Sequence, residues 1–185
     1  RSRTAVARTI PRPARKRPRA ASAFLEIEDA VRRIGRGEMV IVVDDADREN
    51  EGDVVFAASL ATAHKVNFAL THGRGILCAP MSPAIADRLG LRLMVPHNTA
   101  KFGTPFTESV DARVGTTTGT SAFDRSRTLK RLALSKTVSD DLVRPGHVFP
   151  LRAVSGGVLR RAGHTEAVPD LCTLAGLPAV GALCE

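Results

Sequence analysis

Short, β-branched apolar runs alternate with segments of helical spacing from residue 27 to residue 185, and most of the gaps between them are about 2 to 10 residues long. Such gaps are too short for every strand to return through a right-handed parallel crossover, which needs a dozen residues or more. The pattern predicts an α/β (α+β) fold: a layered single domain with a mixed, twisted β-sheet covered by helices. Ile27, Val31 and Ile34 keep helical spacing before Gly35 and Gly37 stop it. Met39 to Val43 reads as a buried strand and Asp53 to Ala58 as a second. Thr62 can cap a helix holding Val66, Phe68 and Leu70. Gly75 to Ala79 is a strand, Ser82 and Pro83 start a helix, and Gly90 ends it. Glu108 to Ala112 is a strand, Asp124 to Leu134 a helix and His147 to Val154 a strand. Thr165 to Ala175 is helical, with Pro169 awkward inside it, and Ala179 to Cys184 is a last strand.

Charge decides which function classes survive. The chain has 185 residues and a net charge of +8. Residues 1 to 20 hold eight basic residues (Arg1, Arg3, Arg8, Arg12, Arg15, Lys16, Arg17 and Arg19) and no acid. The whole chain has 27 basic and 19 acidic residues, so the remainder is neutral. A basic, Pro-containing stretch cannot bury enough apolar surface to fold alone, and residues 1–22 are expected to be a disordered tail, with 23–185 the folded domain. An Arg-rich stretch poor in acids also has transit-peptide character, which would place the protein in an organelle rather than the cytoplasm. A neutral body with no Trp or Tyr disfavours nucleic acid as a partner. No apolar run approaches the roughly 20 residues that cross a bilayer. Cys78, Cys172 and Cys184 have no paired spacing and sit among apolar residues, which fits reduced core cysteines in a reducing, cytoplasmic setting.

Four segments can carry chemistry. Asp44 to Asp53 packs six carboxylates and Arg48 between two apolar strands. It is either a solvated acidic turn or a loop whose carboxylates hold a hard cation and move protons. Arg144 to Arg152 holds His147, which a Pro- and Gly-fixed turn would deliver to a strand start; its imidazole is structural or a proton shuttle. Arg160 to Glu166 reads as a helix start, where N–H groups and Arg161 suit an anion; a capping box from Thr165 with a solvated Arg pair competes. Glu185 follows a buried strand and is a sheet end meeting water or a base. None of the five lysines lies in these segments, so Schiff-base chemistry is not favoured.

Together and in this order, DRENEGD at 47–53, RPGHVFPLR at 144–152, GHTEA at 163–167 and the final LAGL and CE resemble the 3,4-dihydroxy-2-butanone 4-phosphate synthases of riboflavin biosynthesis. RGILC at 74–78 and TTGTSAFDR at 117–125 are similar as well. The resemblance implies a lyase that converts D-ribulose 5-phosphate into L-3,4-dihydroxybutan-2-one 4-phosphate and formate. It implies a magnesium (or manganese) cofactor and a homodimer with its site near the subunit interface. By the same resemblance Glu49 and His164 would be metal ligands. Arg48, Glu49 and Asp53 would contact the sugar, and Arg161, Ala162, Gly163, His164 and Thr165 the phosphate end. His147 and Glu185 would be the acid–base pair, with Glu49 beside them and Glu185 also touching substrate. The family continues past the position of Glu185, which implies a truncated C-terminus or one part of a longer protein; many relatives are fused to GTP cyclohydrolase II. The alternative is an inactive phosphate-sugar-binding relative of the same fold.

Overall fold

A computed structural model describes residues 24–185. The basic tail expected over 1–22 lies outside the described residues. The order of elements is α1 (Ile27–Gly35), β1 (Val40–Val43), β2 (Gly52–Ala57), α2 (Ala63–Phe68), β3 (Leu77–Met81), α3 (Pro83–Arg88), β4 (Val110–Ala112), α4 (Ala122–Ala133), β5 (Leu142–Arg152), α5 (His164–Leu174) and β6 (Gly181–Cys184). The six strands form one sheet in the order β1-β2-β6-β3-β5-β4. Only β3 and β5 pair in parallel; the other pairs are antiparallel, and of these β1 and β2 are joined by the short connection 44–51 that an antiparallel pair allows.

Successive side chains on a strand point to opposite faces, and both faces here are covered. Phe56, Leu77, Ala79, Met81 and Ala182 pack on one face with Val66 of α2, Ala86 of α3 and Leu129 and Leu132 of α4. Val55, Ala57, Cys78 and Leu183 pack on the other with Ile34 of α1 and Val168 and Cys172 of α5. Phe56 is fully buried, and truncating such a ring to Ala costs about 3–5 kcal/mol. The three cysteines are free and buried.

Two local readings change. The run ending at Val43 is an edge strand rather than a buried one, with Ile41 69% exposed. Pro145 and Gly146 do not make a turn before His147. They lie inside the 11-residue β5, where a register shift at Val110/Asp111 of β4 accommodates them, and Arg144–Pro145 is cis. Other elements fall within a few residues of expectation. Ser82 caps α3 by accepting from the Ile85 N–H, Thr62 caps α2 from the Lys65 N–H, and α5 runs through Pro169. Among the described residues no helix is long and apolar enough to cross a membrane.

Candidate active site

The acidic stretch folds back on itself between β1 and β2, and Asp44 organises it. Its Oδ1 accepts from the Glu51 N–H at 3.0 Å, and its Oδ2 accepts from the Glu49 N–H at 3.0 Å and from Arg48 Nη1 at 2.8 Å. Burial pushes the Asp44 carboxyl up, but those backbone N–H groups and Arg48 more than offset it and hold it at about 2. Asn50 takes the left-handed backbone (φ 55°) that closes the loop, a conformation Asn tolerates better than most residues. The self-repulsion of six carboxylates is thus relieved by oriented donors and one guanidinium. Arg48 also contacts Glu49 at 3.1 Å and lies over the Phe102 ring, 5.6 Å from its centroid.

His164, the first residue of α5, is buried beside this loop. Its Nδ1 is 3.0 Å from Asp53 Oδ2 and 3.9 Å from Glu49 Oε2. The Asp53 contact has the distance of an ion pair but not the alignment of a hydrogen bond, and both Asp53 Oδ2 and His164 Nε2 are buried without a hydrogen-bond partner among the described residues. The Asp53 carboxylate raises the His164 pKa above the ordinary value, against the opposing effect of burial.

Gly163 caps α5, and no side chain caps it; Thr165 is buried in the first turn rather than capping it. Two guanidinium groups close on Gly163. A Cβ there would stand 2.6 Å from Arg161 Nη1 and 3.2 Å from Arg48 Nη2. Arg161 is held by Glu166, which is fully buried: Nη1 donates to Glu166 Oε2 at 2.6 Å, and Nη2 donates to the Phe102 carbonyl at 3.0 Å. Ala162 is exposed at the same turn. Thus α5 begins with uncapped N–H groups, the positive end of its dipole and two arginines, an arrangement that attracts an anion.

Glu185 continues the β6 ladder, its carbonyl accepting from the Ile76 N–H at 2.8 Å. Its Oε1 accepts from Cys78 Sγ at 3.5 Å. Partial burial, then the charges of Asp53, Glu49 and Glu51, push this carboxyl above the ordinary glutamate value, while the Cys78 contact pulls it down. A pocket of about 270 Å³ opens here, lined by Arg48, Glu49, Glu51, Lys101, Phe102, Thr104 and Glu185. Lys101, Phe102 and Thr104 come from the loop before β4. Sequence reasoning missed them because a pocket wall made by a distant loop leaves no local pattern. Glu166 was also missed, although a carboxylate so near an arginine at a helix start is a legible pairing signal. A larger groove of about 730 Å³ runs along β1, α1 and α5 with an apolar lining, and none of the residues above lines it.

His147 stands apart. Its Nδ1 is 2.7 Å from Asp111 Oδ2 and its Nε2 is 3.1 Å from Thr120 Oγ1. No hydrogen bond or ion pair joins it to Arg48, Glu49, Asp53, His164 or Glu185 among the described residues. It lies two strands over from Glu185 at the same end of the sheet, roughly 10 Å by strand spacing. Among the described residues no group of three or more His, Cys, Asp or Glu forms a metal cage.

Comparisons with known proteins bear on the family and the fold. A family model described as 3,4-dihydroxy-2-butanone 4-phosphate synthase matches residues 28–185. The riboflavin biosynthesis protein RibBA of Bacillus subtilis (strain 168) is 54% identical over 162 residues, covering 88% of this chain and 40% of that protein. RibBA of Mycobacterium tuberculosis (strain ATCC 25618 / H37Rv) is 55% identical over 159 residues, covering 86% and 37%. The chain thus spans about two fifths of the length of these relatives. A solved 3,4-dihydroxy-2-butanone 4-phosphate synthase in complex with two magnesium ions superposes with a TM-score of 0.86 at 45% identity, covering 88% of this chain and 76% of that one. The two-domain synthase RibBX from A. baumannii gives 0.83 at 44% identity, covering 87% and 47%. Agreement in fold and in sequence over the same stretch gives one assignment: this chain belongs to the 3,4-dihydroxy-2-butanone 4-phosphate synthase family.

Proposed function

We propose that this chain converts D-ribulose 5-phosphate into L-3,4-dihydroxybutan-2-one 4-phosphate and formate, a step of riboflavin biosynthesis. The observation that carries the reading is that Arg48, Glu49 and Glu185 line one pocket while His164 stands 3.9 Å from Glu49 and 3.0 Å from Asp53, in a chain of this family. The phosphate end sits at the start of α5, against Arg161, Ala162, Gly163, His164 and Thr165. It does not react, so its binding energy serves to orient the carbon skeleton. Arg48, Glu49 and Asp53 contact the sugar hydroxyls.

Magnesium, or manganese, is the cofactor in this reading, with Glu49 and His164 as its protein ligands. The residues fit. Glu49 Oε2 and His164 Nδ1 are 3.9 Å apart, inside the roughly 4.2 Å that two ligands of one magnesium can span. Asp53 Oδ2 and His164 Nε2 are buried polar atoms without a hydrogen bond among the described residues. When bound, the cation supplies positive charge next to the substrate's carbonyl and hydroxyl oxygens.

The proton work falls to the chain itself. Enediol formation takes a proton from carbon beside the carbonyl, loss of a hydroxyl needs one delivered, and the carbon shift and hydration that release formate need further transfers. Glu185, with its raised carboxyl, can both accept and donate, and Glu49 lies beside it. His147 is the second acid–base group. It is half-exposed and makes no contact with the cleft, which goes with a homodimer whose site lies near the subunit interface. A cytoplasmic setting goes with the free cysteines. The test is formate release from D-ribulose 5-phosphate with and without magnesium. Absence of formate at saturating sugar phosphate and metal sinks the reading.

A further inference from the structure

The surroundings of His147 are more built than an incidental histidine needs. Asp111 is buried, with its side chain 7% exposed, on the short strand β4. Its Oδ1 accepts from the His147 backbone N–H at 3.0 Å, and its Oδ2 faces Nδ1 of the ring at 2.7 Å. One carboxylate therefore grips both the main chain and the side chain of one residue. On the other side of the ring, Thr120 Oγ1 is 3.1 Å from Nε2.

The loop that carries Thr120 is fixed by a second buried carboxylate. Asp124 Oδ2 accepts from the Thr117 hydroxyl at 2.8 Å, the Thr117 N–H at 3.2 Å and the Gly119 N–H at 3.1 Å. Gly119 roofs the pair. Its backbone is left-handed (φ 84°), and a Cβ there would lie 2.0 Å from Asp111 Oδ2 and 2.7 Å from His147 Nδ1. No side chain larger than hydrogen fits without breaking the contact. Val110 and Asp111 of β4 pair with Val148 and Val143 of β5, so residues 144–147 bulge out of β5, His147 among them, and a bulge re-aims side chains.

We propose that Asp111 is the positioning residue of His147, and that it sets which ring nitrogen exchanges protons in the reaction; this rests on the acid–base role given to His147 above. A carboxylate offers no proton, so Nδ1 must carry the hydrogen and donate it to Oδ2. A neutral imidazole then has its lone pair on Nε2, where the Thr120 hydroxyl donates. Nε2 is the atom that takes a proton from substrate. The ring becomes an imidazolium, and Asp111 stays ionised beside it and stabilises the charge. Asp111 does not touch the reacting atoms. Its contribution is tautomer, orientation and a fixed negative charge.

The tautomer is read directly by long-range ¹H–¹⁵N correlation NMR on the full chain. The wild type should show the Nδ1–H form of neutral His147, and an Nε2–H form there would overturn the proposal without any variant. In Asp111→Asn the charge that selects Nδ1–H is gone. The Nδ1–H signature should be lost, kcat for formate release should fall about 10²-fold or more, and KM for D-ribulose 5-phosphate should stay within about twofold. Asp111→Glu keeps the charge and should recover at least about tenfold of the lost rate. A folded Asp111→Asn protein that keeps the Nδ1–H form and the wild-type kcat defeats the proposal. Failure of the underlying reading looks different: His147→Asn would then release formate at the wild-type rate, while the wild-type NMR signature still reports whether Asp111 sets the ring.

Discussion

At the scale of single residues, the cleft depends on carboxylates and arginines that hold one another. Glu49 is proposed to ligate the cation, and Gln keeps its shape without its charge. Glu49→Gln should raise the magnesium concentration for half-maximal formate release by about tenfold or more with the fold intact. A magnesium titration unchanged from wild type removes Glu49 from the metal site. Arg161 and Arg160 are neighbours with opposite prospects. The sequence suggests that an arginine at this turn is exposed and adds little to folding, but Arg161 has a side chain 24% exposed and pairs with the fully buried Glu166. Arg161→Ala leaves that buried carboxylate unpaired. It should cost about 2 kcal/mol of stability and raise KM for the sugar phosphate by about tenfold, whereas Arg160→Ala, at an exposed side chain, should change neither. Urea denaturation and steady-state kinetics on the two variants decide it, and equal effects would defeat the assignment. These candidates were legible in DRENEGD and in the helix start at Arg160 to Glu166, as His147 and Glu185 were in RPGHVFPLR and the final CE. Their partners were not, because Asp111 with His147 and Cys78 with Glu185 are pairs made by sheet order across long stretches of chain.

At the scale of elements, the acidic loop and the start of α5 are conditional on ionisation and on space. Asp44 has a folded value of about 2 against an ordinary 3.8. A carboxyl lowered by folding contributes stability that is fully present above its unfolded value and is lost as pH falls through its folded value. Resistance to urea should therefore decline between about pH 4 and pH 2, and Asp44→Asn should flatten that decline while lowering stability at neutral pH. A decline of the same slope in the variant would show that the loop does not depend on this carboxylate. Gly163 is a question of room, since its backbone is extended (φ −126°) and unstrained. Gly163→Ala would put a methyl group within 2.6 Å of Arg161 Nη1 and 2.9 Å of Glu166 Oε2. The guanidinium groups must move apart, so KM for the sugar phosphate should rise with little change in kcat; an unchanged KM would mean that the arginines do not meet the phosphate. Helix starts such as Ser82-Pro83 were legible because capping is local chemistry. The strand containing Pro145 and Gly146 was not, because residues 144–147 bulge out of β5 against β4, a distant partner that no neighbouring residue announces.

At the scale of the whole molecule, the fold class followed from the alternation of short strand runs and helical segments, and the fold put the acidic loop and Glu185 around one pocket with the start of α5 against the loop. It did not put His147 there. His147 lies roughly 10 Å across the sheet from Glu185 by strand spacing, its ring held by Asp111 and Thr120. If both groups serve one substrate at a subunit interface, each site draws on two chains. Two defective chains can then repair each other. Glu49→Gln spoils one contribution and His147→Asn the other, so at magnesium far below what the Glu49→Gln chain needs each homodimer is close to inactive. In a hybrid of the two, one site collects both lesions and the other collects neither. Random assembly makes half of all dimers hybrid, and co-expression should recover about a quarter of wild-type formate release. Sedimentation should show the chain as a dimer under the same conditions. A monomer by sedimentation, or isolated hybrids with no activity above the parent variants, would mean that the two groups act within one chain.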